Sequence, residues 1–220
     1  NYILTRVYAS SLDGKKIPIS IIKRKNTPKN APTLLYGYGS YGISIPPSFS
    51  ASRLSLIDRG MIYAIAHIRG GMEKGKKWYE DGKKRKKLNS FNDFISCAKF
   101  LKKENISGNI SIHGGSAGGL LIGASLNISP DTFHCAIAEV PFVDVLNTIL
   151  DDTLPLTPPE WEEWGNPIKN KSDFNYIRSC SPYDNIKKQS FPAILATSGL
   201  TDPRVTYWEA TKWIAKLRNE

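Results

Sequence analysis

Apolar and polar residues alternate in two stretches near the start of the chain. These stretches are residues 3–9 and 17–23, and Asp13-Gly14 lies between them. Alternation with a period of two is typical of half-buried strands, and an Asp-Gly pair favours a tight turn. The pattern therefore predicts a β-hairpin.

Five later apolar runs are short and do not alternate. They are residues 33–36, 62–66, 110–113, 135–139 and 193–197. Runs of this kind are typical of strands that are buried on both faces of a parallel sheet. We therefore expect five further strands, each with both faces covered.

Three segments between these runs have the spacing or composition of helices. They are residues 91–101, which Asn89-Ser90 could cap, residues 116–127, and residues 208–217. Strands that alternate with helices after a hairpin predict an α/β fold with a mostly parallel sheet and helices on both faces. No linker or repeat divides the chain, so we expect residues 1–220 to form one domain.

Composition and charge exclude several classes of protein. The chain has 220 residues, 40% of them hydrophobic, which is enough for a folded core. No run of about 18 apolar residues is present, and the first residues do not resemble a signal peptide, so we expect no membrane association. Three widely spaced cysteines form neither a disulfide framework nor a metal site. They suit a reducing cytoplasm, and we expect a cytoplasmic protein without metal or cofactor.

The net charge of +10 could indicate an anionic partner such as nucleic acid. Much of this charge lies in the run from Lys74 to Lys87, and no aromatic stacking platform or nucleic-acid motif accompanies it. We therefore expect this run to be a solvated face, and we expect no nucleic-acid partner.

The most specific local pattern is G-x-S-x-G, formed by Gly114, Ser116 and Gly118. It lies between an apolar run and a helical segment, which is the context of a nucleophile elbow. The pattern predicts Ser116 as a nucleophile and the Ala117 amide as a donor to an oxyanion. The alternative is a glycine-rich helix start without chemistry.

A serine nucleophile needs a base and a carboxylate that orients the base. Asp202 follows the run at 193–197 and is the candidate acid, although it could also be a turn residue before Pro203. His67, His113 and His134 all precede Asp202, and we interpret them as structural. We expect the base beyond residue 220, so that the fold is truncated at its C-terminus.

Several motifs together resemble the prolyl oligopeptidase family. They are Tyr36–Gly42, Arg69-Gly70-Gly71 and Gly114–Gly119, with Met72 departing from the usual glycine. Three more resemble its oligopeptidase B (protease II) branch, namely Val140–Val145, Glu160–Pro167 and Ser181–Asn185. The resemblance covers essentially the whole chain.

The resemblance implies an α/β-hydrolase fold and a serine oligopeptidase that cleaves short peptides after Lys or Arg. A β-propeller, absent from these residues, would cover the site. Tyr38 would donate to the oxyanion beside Ala117. Substrate binding would fall to Glu160 and Glu162 for basic side chains, to Arg204 for a backbone carbonyl, and to Tyr41 in the glycine-rich loop.

Two alternatives remain open from the sequence. One is an esterase or acylaminoacyl peptidase on the same fold. The other is a non-catalytic product of a shortened gene. Without the resemblance, Glu160 and Glu162 would be interpreted as the polar side of a short helix.

Overall fold

The computed structural model describes residues 1–220, and its centre is a seven-stranded sheet. The strands are β1 (Tyr2–Ser10), β2 (Lys16–Arg24), β3 (Thr33–Tyr36), β4 (Ile62–Ala66), β5 (Ile110–Gly115), β6 (Cys135–Glu139) and β7 (Ala193–Thr197). Their order across the sheet is β1-β2-β4-β3-β5-β6-β7. The hairpin β1-β2 and the pair β2-β4 are antiparallel, and all other pairs are parallel. The predicted hairpin and mostly parallel sheet are confirmed.

Helices cover both faces of this sheet. They are α1 (Ala51–Asp58), α2 (Lys76–Glu80), α3 (Leu88–Lys103), α4 (Ala117–Ile128), α5 (Val145–Leu150), α6 (Thr157–Trp164), α7 (Lys171–Cys180) and α8 (Tyr207–Asn219). On one face, Ile57 of α1 packs in a small cluster with Leu34, Tyr63 and Ile65. On the other face, α3, α4 and α8 contribute to a core of 39 buried residues. The three predicted helices correspond to α3, α4 and α8.

The start of α3 differs from the predicted cap. The helix begins at Leu88, and Asn89 and Ser90 lie inside its first turn. The Ser90 hydroxyl donates to the carbonyl of Arg69 at 2.7 Å, and the Asn89 amide donates to the carbonyl of Asp81. Both side chains therefore hold neighbouring loops, and the capping prediction is wrong.

The strand β7 also differs from its prediction. Within residues 1–220 it pairs only with β6. Leu195 in its middle is 58% exposed, although an apolar run predicted burial on both faces.

None of the helices combines the length and the apolar character that crossing a membrane would require.

Candidate active site

Ser116 lies at the sharp junction between β5 and α4. Its backbone has φ 55° and ψ −121°, a conformation that is costly for a residue with a side chain. The Ser116 amide donates to the carbonyl of Glu139 at 2.9 Å, which fixes the junction against β6. A strained serine between a strand and a helix is the geometry of a nucleophile elbow.

The glycines around this junction allow chain segments to approach closely. A Cβ atom at Gly114 would lie 2.4 Å from the carbonyl oxygen of Gly118. A Cβ atom at Gly119 would lie 2.4 Å from the Cα of Pro141. Both contacts involve backbone or ring atoms that cannot move aside without displacing the chain. The glycines therefore let α4 start directly beneath Ser116.

A cavity of about 300 Å³ opens beside the Ser116 hydroxyl. Five of the predicted site residues line it, namely Tyr38, Tyr41, Ser116, Glu160 and Arg204. Much of the remaining wall is apolar and includes Ile43, Phe142, Ile149, Leu154, Leu156 and Val205. The structure therefore brings a hydroxyl, two phenols, a carboxylate and a guanidinium to one partly apolar cavity.

Tyr38 follows β3 and lies close to the nucleophile. Burial raises the pKa of its phenol to about 12, and the nearby Tyr36 phenol and the Glu160 and Glu163 carboxylates add to that rise. The phenol therefore keeps its proton at neutral pH and remains a hydrogen-bond donor. The Ala117 amide belongs to the first turn of α4, where amides have no partner within the helix.

Asp202 lies in the turn after β7 and does not line the cavity. Its Oδ1 atom accepts the amides of Arg204 at 2.8 Å and Val205 at 3.0 Å. These backbone hydrogen bonds lower the pKa of the carboxyl, so it is ionised at neutral pH. Because both hydrogen bonds end on Oδ1, the Oδ2 atom of Asp202 can accept a hydrogen bond from another group.

Glu160 projects from α6 into the cavity and has two partners. Its Oε2 atom accepts the Tyr41 hydroxyl at 2.8 Å and the indole nitrogen of Trp164 at 2.7 Å. Burial and the Glu160 carboxylate raise the pKa of Tyr41, which keeps that phenol protonated as a donor. The second oxygen of Glu160 has no such partner, so the carboxylate offers an acceptor to a ligand in the cavity.

Glu162 lies outside the cavity, in contrast to the expectation that it pairs with Glu160. Its side chain is 90% exposed and lies 3.4 Å from the ammonium group of Lys84. Residues two apart on a helix do not share a face, so the two carboxylates diverge. The structure does not bring Glu162 to the other predicted site residues.

None of the three histidines lines the cavity. The buried His67 ring contacts Ser20 at 2.8 Å, and His113 packs against the Tyr36 ring with centroids 5.3 Å apart. Both positions agree with a structural role. His134 is exposed directly before β6, so its interpretation as a structural residue is wrong.

Two charged residues near the cavity were not recognised from the sequence. Glu163 is buried and accepts the amide of Tyr41 at 2.9 Å and the Tyr79 hydroxyl at 2.6 Å. Lys87, expected on a solvated face, is only 2% exposed. The sequence could have indicated the burial of Lys87, because Lys87, Phe91 and Phe94 follow the helical spacing of the apolar face of α3.

No group of three or more His, Cys, Asp or Glu side chains is arranged to hold a metal ion.

Relatives with known names support a common origin for this geometry. The sequence profile of the prolyl oligopeptidase family matches residues 47–220. Dipeptidyl aminopeptidase BI of Pseudoxanthomonas mexicana is 48% identical over 223 residues, covering 99% of this chain and 31% of that protein. Protease 2 of Moraxella lacunata is 44% identical over 217 residues, covering 97% of this chain and 31% of that protein.

A solved structure gives the same result at the level of the fold. Oligopeptidase B from Leishmania major superimposes with a TM-score of 0.96 at 49% identity. The match covers 100% of this chain and 31% of that one, so the chain spans about a third of the length of its relatives. The fold is the predicted α/β-hydrolase fold. With a family profile that matches most of its length, this chain belongs to the prolyl oligopeptidase family of serine peptidases.

Proposed function

We propose that the protein carrying this chain is a serine-type oligopeptidase that hydrolyses peptide bonds after Lys or Arg. One observation carries the proposal: the Ser116 hydroxyl and the Glu160 carboxylate line the same partly apolar cavity. A nucleophile and an anionic partner in one cavity fit a substrate with a basic side chain next to its scissile bond. Residues 1–220 would form most of the catalytic domain, without the segment that carries the base.

Ser116 would act as the nucleophile. Its Oγ atom attacks the carbonyl carbon of the substrate and its proton passes to an imidazole base. The tetrahedral intermediate then collapses, the amine leaves with the proton from the imidazolium, and water hydrolyses the acyl-enzyme by the same route. The strained backbone at Ser116 supports this role because it projects the hydroxyl away from the sheet.

The negative charge on the carbonyl oxygen would be stabilised by the Ala117 amide and the Tyr38 hydroxyl. Each pre-aimed donor of this kind contributes about 2.7–4 kcal/mol to transition-state stability. The raised pKa of Tyr38 supports the assignment, because a phenol that stays protonated at neutral pH can donate throughout the reaction.

Asp202 would orient the base, and the imidazole would come from outside residues 1–220. The free oxygen of Asp202 supports this role, since an orienting carboxylate accepts the second ring nitrogen of the base. The three histidines of the chain do not line the cavity, so the proposal uses none of them.

Glu160 would select the basic side chain. A charge-assisted hydrogen bond from Lys or Arg to the free carboxylate oxygen is about twice as strong as a neutral one. Phe142 and Ile43 would pack against the methylene groups of that side chain. Arg204 also lines the cavity and would donate to a backbone carbonyl of the substrate. Glu162, which lies outside the cavity, has no part in the proposal.

The substrates would be short peptides in the cytoplasm, with a β-propeller of the longer protein restricting access to the site. The names of two relatives, oligopeptidase B and protease 2, support peptide hydrolysis by such proteins.

The test compares substrates in the full-length protein that carries this chain. Hydrolysis of N-acylated amides of arginine, lysine and leucine, and of a simple aryl ester, is measured for wild type and for Ser116→Ala. We expect preference for the arginine and lysine amides by at least about tenfold in kcat/KM, from one charge-assisted bond. We expect loss of turnover in Ser116→Ala. Preference for the ester, or undiminished turnover in Ser116→Ala, would contradict the proposal.

A further inference from the structure

Lys87 is a buried lysine at the end of a run of exposed basic residues. Only 2% of it is exposed, whereas the side chain of the adjacent Lys86 is 56% exposed. Burying an ammonium group is unfavourable unless polar partners replace its water shell. The partners that replace this shell therefore indicate what the lysine holds in place.

The partners of Lys87 belong to the loop that carries Tyr38. Its Nζ atom donates to the carbonyl of Gly39 at 2.5 Å and to the hydroxyl of Ser40 at 2.7 Å. The ammonium group also lies 5.0 Å from the centre of the Trp164 ring, within reach of a cation–π interaction. Lys87 therefore connects the N-terminal end of α3 to the two residues directly after Tyr38.

This loop has little regular structure of its own. Gly39 and Tyr41 have φ angles of 71° and 57°, in the left-handed region that is unfavourable for Tyr41. The next residue of the loop is held by Glu163, which accepts the Tyr41 amide. Two charged groups of opposite sign thus hold three consecutive residues of the loop.

The charge state of Lys87 is compatible with this contact. Burial lowers the pKa of its ammonium group to about 8, while the charges of Glu163 and, to a smaller extent, Cys180 oppose that decrease. The group is therefore mostly protonated at pH 7. A charged donor forms stronger hydrogen bonds to the Gly39 carbonyl than a neutral amine would.

We propose that Lys87 is a positioning residue, which fixes Gly39 and Ser40 so that the Tyr38 phenol points at the developing oxyanion. The proposal rests on the function proposed above for Ser116 and Tyr38. An oxyanion donor contributes only when it lies within hydrogen-bond distance of the developing charge, so a displacement of about 1 Å removes much of its effect. A methionine at position 87 would fill a similar volume without donating to the loop.

The test is a double-mutant cycle in the full-length protein, with an arginine amide as substrate. Tyr38→Phe is expected to lower kcat about 100-fold, because it removes one oxyanion donor. Lys87→Met is expected to lower kcat about tenfold to a hundredfold, with KM changed less than about threefold. If Lys87 acts through Tyr38, the double variant has the kcat of Tyr38→Phe alone, within about threefold. Lys86→Met, a change of the exposed neighbour, is the matched control and keeps wild-type kcat.

Multiplicative losses in the double variant would overturn the proposal, because they mean that Lys87 acts independently of Tyr38. Should Lys87→Met fail to fold, Ser40→Ala removes the second partner of the ammonium group. We expect it to lower kcat by about threefold to tenfold, with no further loss in the Tyr38→Phe background. Unchanged kcat in Ser40→Ala would overturn the proposal. If wild type hydrolyses no arginine amide, the proposed function itself fails. If wild type hydrolyses it and the losses in the double variant are multiplicative, only the proposed role of Lys87 fails.

Discussion

Replacing Glu160 by glutamine removes the charge that is expected to select a basic substrate. The amide oxygen of glutamine can still accept the Tyr41 hydroxyl and the Trp164 indole nitrogen, which lie 2.8 and 2.7 Å from the carboxylate. The cavity wall therefore keeps its hydrogen bonds and its volume. Any effect on the substrate reports on the charge and not on a collapsed site.

The size of the effect follows from the strength of one charge-assisted contact. A hydrogen bond to a charged group contributes about 1.5–3 kcal/mol, and about 1.36 kcal/mol corresponds to a tenfold change in rate. We therefore expect Glu160→Gln to lower kcat/KM for an arginine amide roughly 10- to 150-fold. The kcat/KM for a leucine amide should change less than about twofold, since the leucine side chain contacts only the apolar wall of the cavity.

The assay is steady-state hydrolysis of both amides by the full-length protein. Glu162→Gln is the matched control, because it removes the same charge from the same helix at a position that is 90% exposed. We expect that control to keep the wild-type preference for arginine. An equal loss on both substrates in Glu160→Gln would refute the reasoning, as would the same selective loss in Glu162→Gln.

Three further predictions concern stability, each measured by urea unfolding of the full-length protein. Gly119→Ala places a Cβ 2.4 Å from the Cα of Pro141, and we expect a loss of about 1–3 kcal/mol from overpacking; wild-type stability would contradict this. Arg69→Met leaves the fully buried Asp93 carboxylate without its ion-pair partner at 2.6 Å, and we expect a loss of about 3–5 kcal/mol. A loss below about 1 kcal/mol would show that Asp93 is solvated in another way. Burial raises the pKa of Glu209 to about 7, well above the value of about 4.3 in an unfolded chain. The folded state therefore binds this proton more tightly, so the contribution to stability is greatest below pH 4.3 and is lost as pH rises through 7. Glu209→Gln should flatten this part of the stability–pH curve, and an unchanged slope would contradict the assignment.

Local sequence pattern was sufficient to locate most strands. The bounds of β3, β4, β6 and β7 coincide with the apolar runs residue for residue. Short apolar runs between turn residues are a property of the local chain, so no tertiary information is needed to find them.

Several helices were not predicted because their packing decides them. The helices α5 and α7 are short, and their apolar residues contact partners far away in the sequence, such as Ile177 in the main core. Short segments of this kind have little helical preference of their own and form when tertiary contacts stabilise them. The burial of Lys87 was also not predicted. Its basic neighbours in the sequence suggested a solvated residue, although its spacing places it on the apolar face of α3.

The candidate site was only partly accessible from residue patterns. The strand–serine–helix context identified Ser116, and the position after an apolar run identified Asp202. Tyr38 and Glu160 were expected only from the resemblance to a family, because they lie on loops and helices far apart in the sequence. Their meeting in one cavity, and the divergence of Glu162, depend on how α6 packs against the loop after β3.

The most direct measurement is the site of covalent modification by a fluorophosphonate, a reagent that mimics the acylation step. The full-length protein is incubated with the reagent, digested, and analysed by mass spectrometry. We expect a stoichiometric adduct on Ser116, with no adduct in Ser116→Ala and hydrolysis of arginine amides lost in proportion to labelling. Full hydrolytic activity in protein whose Ser116 is modified, or no adduct on Ser116 in active protein, would contradict the account.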